Sequence, residues 1–422
     1  MSRRLLLLLA VTGAVAVGNL YFPQAIAPLI ADGLGVSPDA ASLVVTATQI
    51  GYTAGMVLLV PLGDRFPHRS LLVVLLAVTG LALLAAGCAP ALPALVAASA
   101  LIGLATVAAQ VISPLAAGLV APDRRGAVLG ALLSGSTGGM LLARAFGGVL
   151  GEWLGWRAPY LVAAAVALLL AVVVAYAVPA TAPAAADARR PYREFLAEPL
   201  RLLRAEPELR RSCFCQAAAF GAFSAVWTSV ALLLTGPVYG YGAQAVGVLA
   251  LVGAVTMLCT PYAGRLVDRH GPGPVNLAAL AGVAVSAAVL AAGGLGGLPG
   301  LAALAAGTLL LDVAMQGGMV ANKARVYALR EGSLSRLTTA YMMCAYLGGT
   351  GGSWLGVRLY AACGWGAVCA LVAALAAAGL LRHLWPRGGG RTGAGGRRRV
   401  RPAGRGASGP AAGPAGVPGG TG

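Results

Sequence analysis

Gly264-Arg-Leu-Val-Asp-Arg-His-Gly271 is a short charged turn between two long apolar runs. About 200 residues earlier, Gly63-Asp-Arg-Phe-Pro-His-Arg69 stands in the same position between two other apolar runs. Further pairs follow at similar spacing. Arg125 precedes the fifth apolar run as Arg336 precedes the eleventh, and Gly155-Trp156 is matched by Gly364-Trp365. The separations lie between about 200 and 211 residues. Matches that stay in register over such a distance indicate a duplicated unit, the two copies being parallel repeats about an axis along the membrane normal.

The composition around these turns is that of a membrane protein. Of 422 residues, 59% are hydrophobic and only 10% charged, against about 25% charged in soluble domains. With about 20 apolar residues per crossing, the chain holds twelve helices, expected near 5–30, 40–62, 71–88, 93–120, 127–151, 158–178, 212–235, 244–263, 275–293, 298–320, 337–357 and 366–384. The N-terminal Met1-Ser-Arg-Arg and Leu5–Ala10 have the start of a signal peptide. The apolar run continues past any cleavage site, which favours an uncleaved first helix. Arg and Lys bias sets orientation. With the N-terminus inside, 27 of the 30 basic residues fall in inner segments, and both termini are expected on the cytoplasmic side.

These features give an all-α polytopic fold, two six-helix bundles related by pseudo-symmetry. The expected division is residues 1–178 for the first bundle, 179–211 for a cytoplasmic linker, 212–384 for the second bundle and 385–422 for a tail. The linker carries Pro179, Pro183, Pro191, Pro199 and Pro207 among mixed charge. The tail, rich in Gly, Pro, Ala and Arg, cannot bury a core and is expected to be disordered. Its arginines suit anionic inner-leaflet lipid, and without aromatic stacking residues no nucleic-acid partner is expected.

Two half-repeats, a charged central loop and Gly-x-x-x-Asp-Arg-x-Gly-like turns resemble the major facilitator superfamily. Gly264, Asp268, Arg269 and Gly271 fit that turn well, while Gly63, Asp64, Arg65 and Arg69 fit more loosely. Asn19-Leu-Tyr-Phe-Pro-Gln24, Gln49-Ile-Gly-Tyr52, Gln110-Val-Ile-Ser-Pro114, Leu141-Leu-Ala-Arg144, Asp312-x-x-x-Gln316 and Ser335-Arg-Leu-Thr338 are similar to segments of bacterial drug:proton-antiporter-like efflux permeases. The resemblance spans about residues 5–384. It implies a monomeric secondary transporter of the bacterial inner membrane, working by alternating access. It further implies proton-coupled efflux of a small organic compound, drug-like or a secondary metabolite. A departure is helix 5, where Gly135-Ser-Thr-Gly-Gly139 replaces the Gly-Pro of the drug-antiporter motif. Transport of a sugar or another metabolite is the alternative reading. A membrane sensor usually needs an attached signalling domain, for which the tail is too poor in apolar residues, and the absence of membrane histidines and paired carboxylates counts against a membrane enzyme.

Few side chains carry chemistry in these spans. A charge within the bilayer costs at least about 2.5–3.5 kcal/mol on insertion scales, and only Asp312 and Arg144 sit well inside predicted helices. Desolvation favours the neutral form of a carboxyl group. A carboxyl at Asp312 can therefore take a proton when dry and release it when wetted, whereas the structural alternative is a carboxylate held by Gln316 or a neighbouring helix. Arg144 suits an anionic group, or snorkels outward. The predicted helix ends put the two at different depths, so that a direct pair needs a tilted or broken helix. Asn19, Tyr21, Gln24, Gln49, Tyr52, Gln110, Trp227 and Gln316 are the expected lining of a mostly neutral cavity, each also able to act as interhelical glue. The charged turns at Gly63–Arg69 and Gly264–Gly271 are read as gating loops whose pairing changes between two states. Seven cysteines without metal-ligand spacing, and glycine-rich Gly293–Gly297 without a phosphate-loop lysine, predict neither metal nor cofactor.

Overall fold

The computed structural model describes residues 2–120, 125–179, 192–253, 256–329 and 334–385. The expected tail, most of the first half of the linker and several loop residues lie outside the described residues. Among those described there are helices and turns but no strand. The first half holds α1 (Arg3–Gly18), α2 (Phe22–Leu34), α3 (Pro38–Leu58), α4 (His68–Gly87), α5 (Leu92–Ala105), α6 (Ala108–Gly118), α7 (Arg125–Leu154) and α8 (Arg157–Ala177). After α9 (Tyr192–Ala205) come α10 (Pro207–Thr235), α11 (Gln244–Gly253), α12 (Thr256–His270), α13 (Pro272–Ala291), α14 (Gly297–Tyr327), α15 (Leu334–Cys363) and α16 (Trp365–Leu384). Among the described residues, nine stretches are long and apolar enough to cross a membrane. Leu7, Val74, Leu81, Leu169 and Leu381 are exposed on spanning helices, as lipid-facing residues should be.

Local chemistry explains how the predicted spans map onto these helices. The first span is two helices. α1 ends at Gly18, and α2 restarts at Phe22 with Pro23 in its first turn, where the missing N–H costs nothing. The fourth span is likewise divided, between Ala105 and Ala108. Ser37 caps α3 by accepting from Ala40 N, with Pro38 at the first position. The seventh span begins at Pro207 rather than near 212, because Pro207 and Glu208 suit a first helical turn although they are not apolar. The break expected over 179–211 contains the amphipathic α9, whose charge hides it from an apolar-run reading. The tenth span does not stop near 320. α14 continues through Lys323 and Arg325 to Tyr327, since a helix outlasts its apolar stretch once its end can reach the water interface.

The duplication is visible in packing. Ala14 on α1 meets Gly139 on α7, and Ala217 on α10 meets Gly348 on α15. One turn on, Gly18 meets Ala143, and Gly221 meets Gly352. Ala14 and Ala217 are 203 residues apart, as are Gly18 and Gly221, while Gly139 to Gly348 and Ala143 to Gly352 are both 209. Close approach demands these small residues: a Cβ on Gly352 would lie 2.0 Å from the Gly221 oxygen. The other pairings repeat too, α4 with α8 as α13 with α16, and α3 with α5 as α12 with α14. The main contacts that join one repeat to the other among the described residues are α2 with α10, α3 with α15, and α7 with α11.

Candidate functional site

The broken first span and the seventh span place matching positions face to face in the middle of the molecule. Gln24 and Trp227 are 203 residues apart, the same offset that relates α1 to α10, and both reach Arg144 of α7. The Arg144 Nε donates to Gln24 Oε1 at 3.0 Å. Its guanidinium carbon lies 4.1 Å from the Trp227 ring, 5.1 Å from Tyr21 and 5.2 Å from Phe223. On its other side the Trp227 indole donates from Nε1 to Asp312 Oδ1 at 2.9 Å. The result is a relay across both repeats, Gln24–Arg144–Trp227–Asp312. Arg144, Gln24 and Trp227 are 0% exposed and Asp312 2%.

Depth is where the structure departs most from the sequence reading. Asp312 is fifteen residues from either end of α14, at its midpoint. Arg144 is ten residues from the end of α7, about 15 Å at 1.5 Å per residue. The longer helices bring the two charges to a common core. They do not pair directly among the described residues. Trp227 stands between them, its face to the cation and its N–H to the carboxylate. Stacking against π-faces replaces part of the hydration a buried guanidinium loses. It does not satisfy its hydrogen bonds: Nη1 and Nη2 of Arg144, Nε2 of Gln24 and Oδ2 of Asp312 are buried with no hydrogen-bond partner among the described residues.

The remaining expected lining divides into two groups. Tyr52 of α3 accepts from Gln110 Nε2 at 2.8 Å and packs on Tyr346 of α15 with ring centroids 4.5 Å apart. Tyr346 also meets Phe220 edge-on at 5.0 Å. One turn toward the predicted inner end lies a small cavity lined by Met56, Val60, Gln110, Thr338, Thr339 and Met342. Tyr52 and Tyr346 therefore separate that cavity from the level of Arg144. Asn19, Gln49 and Gln316 are less engaged. Asn19 is buried where it ends α1, Gln49 is buried with Oε1 unpartnered, and Gln316 is half-buried one turn after Asp312.

At the opposite end, Glu152 of α7 accepts from the Ala243 backbone N–H at 2.7 Å, just before α11. The Gly148 and Gly247 positions seat the same two helices against each other. Contacts across both ends leave the central charges enclosed. Asp268 and Arg269 are exposed at the end of α12, and Gly264 is half-buried. Gly271 takes φ +80° before α13, a left-handed conformation that glycine adopts without strain. Gly63 is buried, Arg65 is half-buried, and the Asp64 side chain lies outside the described residues. Arg69 donates to the Ala175 carbonyl, tying α4 to α8 within one repeat.

Sequence reasoning did not single out Phe223, Tyr346 or Glu152 as site residues. The available signal for the first two was scarcity, since only 6% of the chain is aromatic. For Glu152 it was a lone acid at the outer end of a predicted span.

Comparison with known proteins places this geometry in context. The family model described as Major Facilitator Superfamily matches residues 8–322. The "Uncharacterized transporter YgaY" of Escherichia coli O157:H7 is 32% identical over 388 residues, covering 92% of this chain and 96% of the relative. "Probable transporter SCO4007" of Streptomyces coelicolor is 35% identical over 374 residues, covering 88% and 85%. A "Chloramphenicol resistance protein" of Streptomyces lividans is 36% identical over 166 residues, 39% of this chain and 42% of that one. Among solved structures, the inward-facing, unoccupied bacterial homolog of the human lysosomal transporter Spinster matches with a TM-score of 0.67 at 15% identity, covering 91% of this chain and 95% of the other. The nucleoside transporter NupG matches with the same TM-score at 13% identity, covering 90% and 98%. These two likenesses concern the fold.

Proposed function

The chain belongs to the major facilitator superfamily, and from that premise we propose that it is an alternating-access exporter of a small organic compound driven by proton antiport. It sits in the bacterial inner membrane with both termini inside and works as a monomer. The observation that carries this reading is the Trp227 bridge between Arg144 and Asp312. It joins the one deep carboxylate among the described residues to the contact between repeats, so a change in protonation of Asp312 is felt by both halves. Rocking of the repeats alternately wets the two ends of the core, and a group whose proton affinity differs between those states can carry a proton through the cycle.

Direction and substrate draw on other support. The resemblance to drug:proton-antiporter-like permeases and the partial similarity to a chloramphenicol resistance protein favour efflux of a drug-like molecule or secondary metabolite. In this reading Tyr52 and Tyr346 act as the inner closure, and Glu152 with the start of α11 as the outer one. The gating turns bias the balance between states, as differential pairing at an interface does.

The test is proton flux. Purified protein in vesicles with an imposed pH gradient should move protons when a compound panel that includes chloramphenicol is added. Uphill compound movement should collapse when the gradient is dissipated. Compound transport indifferent to the gradient would overturn the coupling. No transport of any compound by folded protein would overturn the exporter reading.

A further inference from the structure

We infer that the substrate is a zwitterion, a small molecule whose carboxylate docks on Arg144 and Gln24 and whose ammonium docks on Asp312; the inference rests on the transport reading above. Three donor atoms are buried without an acceptor among the described residues, namely Nη1 and Nη2 of Arg144 and Nε2 of Gln24. Gln24 is fixed beside the guanidinium by the Arg144 Nε bond, so these donors belong to one cluster. Across the Trp227 indole, Asp312 Oδ2 is an acceptor without a donor. Such orphaned atoms are expensive when buried, and a ligand that pairs with them recovers that cost.

The geometry decides the charge type. A guanidinium offers paired N–H groups that match the two oxygens of a carboxylate. The rings of Tyr21, Phe223 and Trp227 surround it with π-faces. Among the described residues, the charged or titratable groups that act on Asp312 and Arg144 are each other and the phenol of Tyr21, beyond which stand Tyr346 and Tyr52. A simple cation satisfies Asp312 but sets a second positive charge beside Arg144. A simple anion does the reverse. A zwitterion fills both ends and leaves the net charge of the core unchanged, and its aromatic or apolar body finds ring faces on the way. Its ammonium and a proton would compete for the same Asp312 carboxylate, which is the sign that antiport requires.

Binding to purified protein in nanodiscs tests the inference with charge-matched probes. Phenylalanine and its β- and γ-amino acid analogues are the zwitterions. Phenylalanine methyl ester is the cation and N-acetylphenylalanine the anion. At least one zwitterion should bind tenfold or more tightly than either single-charge probe. Arg144→Gln should remove its advantage over the ester, Arg144→Lys should keep part of it, and Asp312→Asn should remove its advantage over the N-acetyl compound. Melting curves of each variant show whether it is folded, and wild-type selectivity alone decides if one is not. Equal binding of all probes, tightest binding by the ester or N-acetyl compound, or no zwitterion binding would overturn the inference. The predicted charge order without proton-coupled flux would leave it standing and overturn the transport reading. Proton-coupled export of a cation unaffected by Arg144→Gln would do the opposite.

Discussion

Trp227 does two jobs that a smaller or less polar side chain cannot combine. Its ring face takes the Arg144 cation and its N–H takes an Asp312 oxygen. Trp227→Phe keeps a π-face and removes the donor, leaving both Asp312 oxygens unpaired. Losing a buried hydrogen bond to a charged group costs about 1.5–3 kcal/mol, so the variant should melt earlier than wild type, with weakened coupling. An unchanged melting temperature would mean that the indole N–H does not hold the carboxylate. Asp312→Asn is the sharper test of coupling. It preserves shape and hydrogen bonding but removes titration, and should abolish pH-gradient-driven uphill transport while retaining part of the binding or downhill exchange. Wild-type proton coupling in vesicles by a stable Asp312→Asn protein would remove this residue as the obligatory carrier. That Asp312 and Arg144 are the charges to test was legible from their rarity, because an intramembrane charge is costly. Their common depth was not, because hydropathy ends the tenth span near 320 whereas the helix runs to Tyr327.

Helices here meet through glycine, and the effect is position-specific. A Cβ at Gly352 would collide with the Gly221 carbonyl, whereas one at neighbouring Gly351 meets nothing within 4 Å. Gly352→Ala should therefore force α10 and α15 apart, lowering melting temperature and membrane yield. Gly351→Ala should match wild type, and equal loss in both would contradict the packing argument. Glu152 tests a different contact. Its bond to the Ala243 N–H joins α7 to the start of α11, and a charge-assisted bond is roughly twice as strong as a neutral one. Glu152→Gln should loosen this end. Spin labels on Leu154 and Tyr241 should report a broader, longer distance distribution, and an unchanged distribution would show that the bond does not hold the two helices. The Gly135-x-x-x-Gly139 and Gly348-x-x-x-Gly352 spacings suit close helix approach, but do not say which helix is approached. Ala14 and Ala217 carry no pattern that marks them as the partners of Gly139 and Gly348.

At the scale of the whole molecule, the charge asymmetry and the repeats make joint predictions. Reporter fusions near Asp187, Lys323 and the tail should read as inside, and those near Asp39 and Trp156 as outside. A reporter placing Lys323 outside would break the twelve-span count. If the paired turns bias the rocking equilibrium, Asp268→Asn should shift the inward and outward populations measured by double labelling, with little change in affinity within either state. Unchanged populations with impaired intrinsic binding would assign Asp268 to the substrate site instead.

The amino-acid order alone determined the membrane class, the duplicated helical plan and the short roster of charges worth watching. Each follows from local chemistry: apolar run length against bilayer thickness, arginine placement, and the cost of a buried charge. Tertiary structure alone decided how those charges are arranged. The backbone of the two repeats is equivalent, yet Gln24 and Trp227 occupy matching positions with different chemistry, and Ser353, which matches Arg144, bonds to Thr228 instead. A relay that crosses four helices from both halves has no sequence period, because its members share neither a helix face nor a spacing. They become neighbours only when glycine-mediated packing fixes how deeply each helix sits.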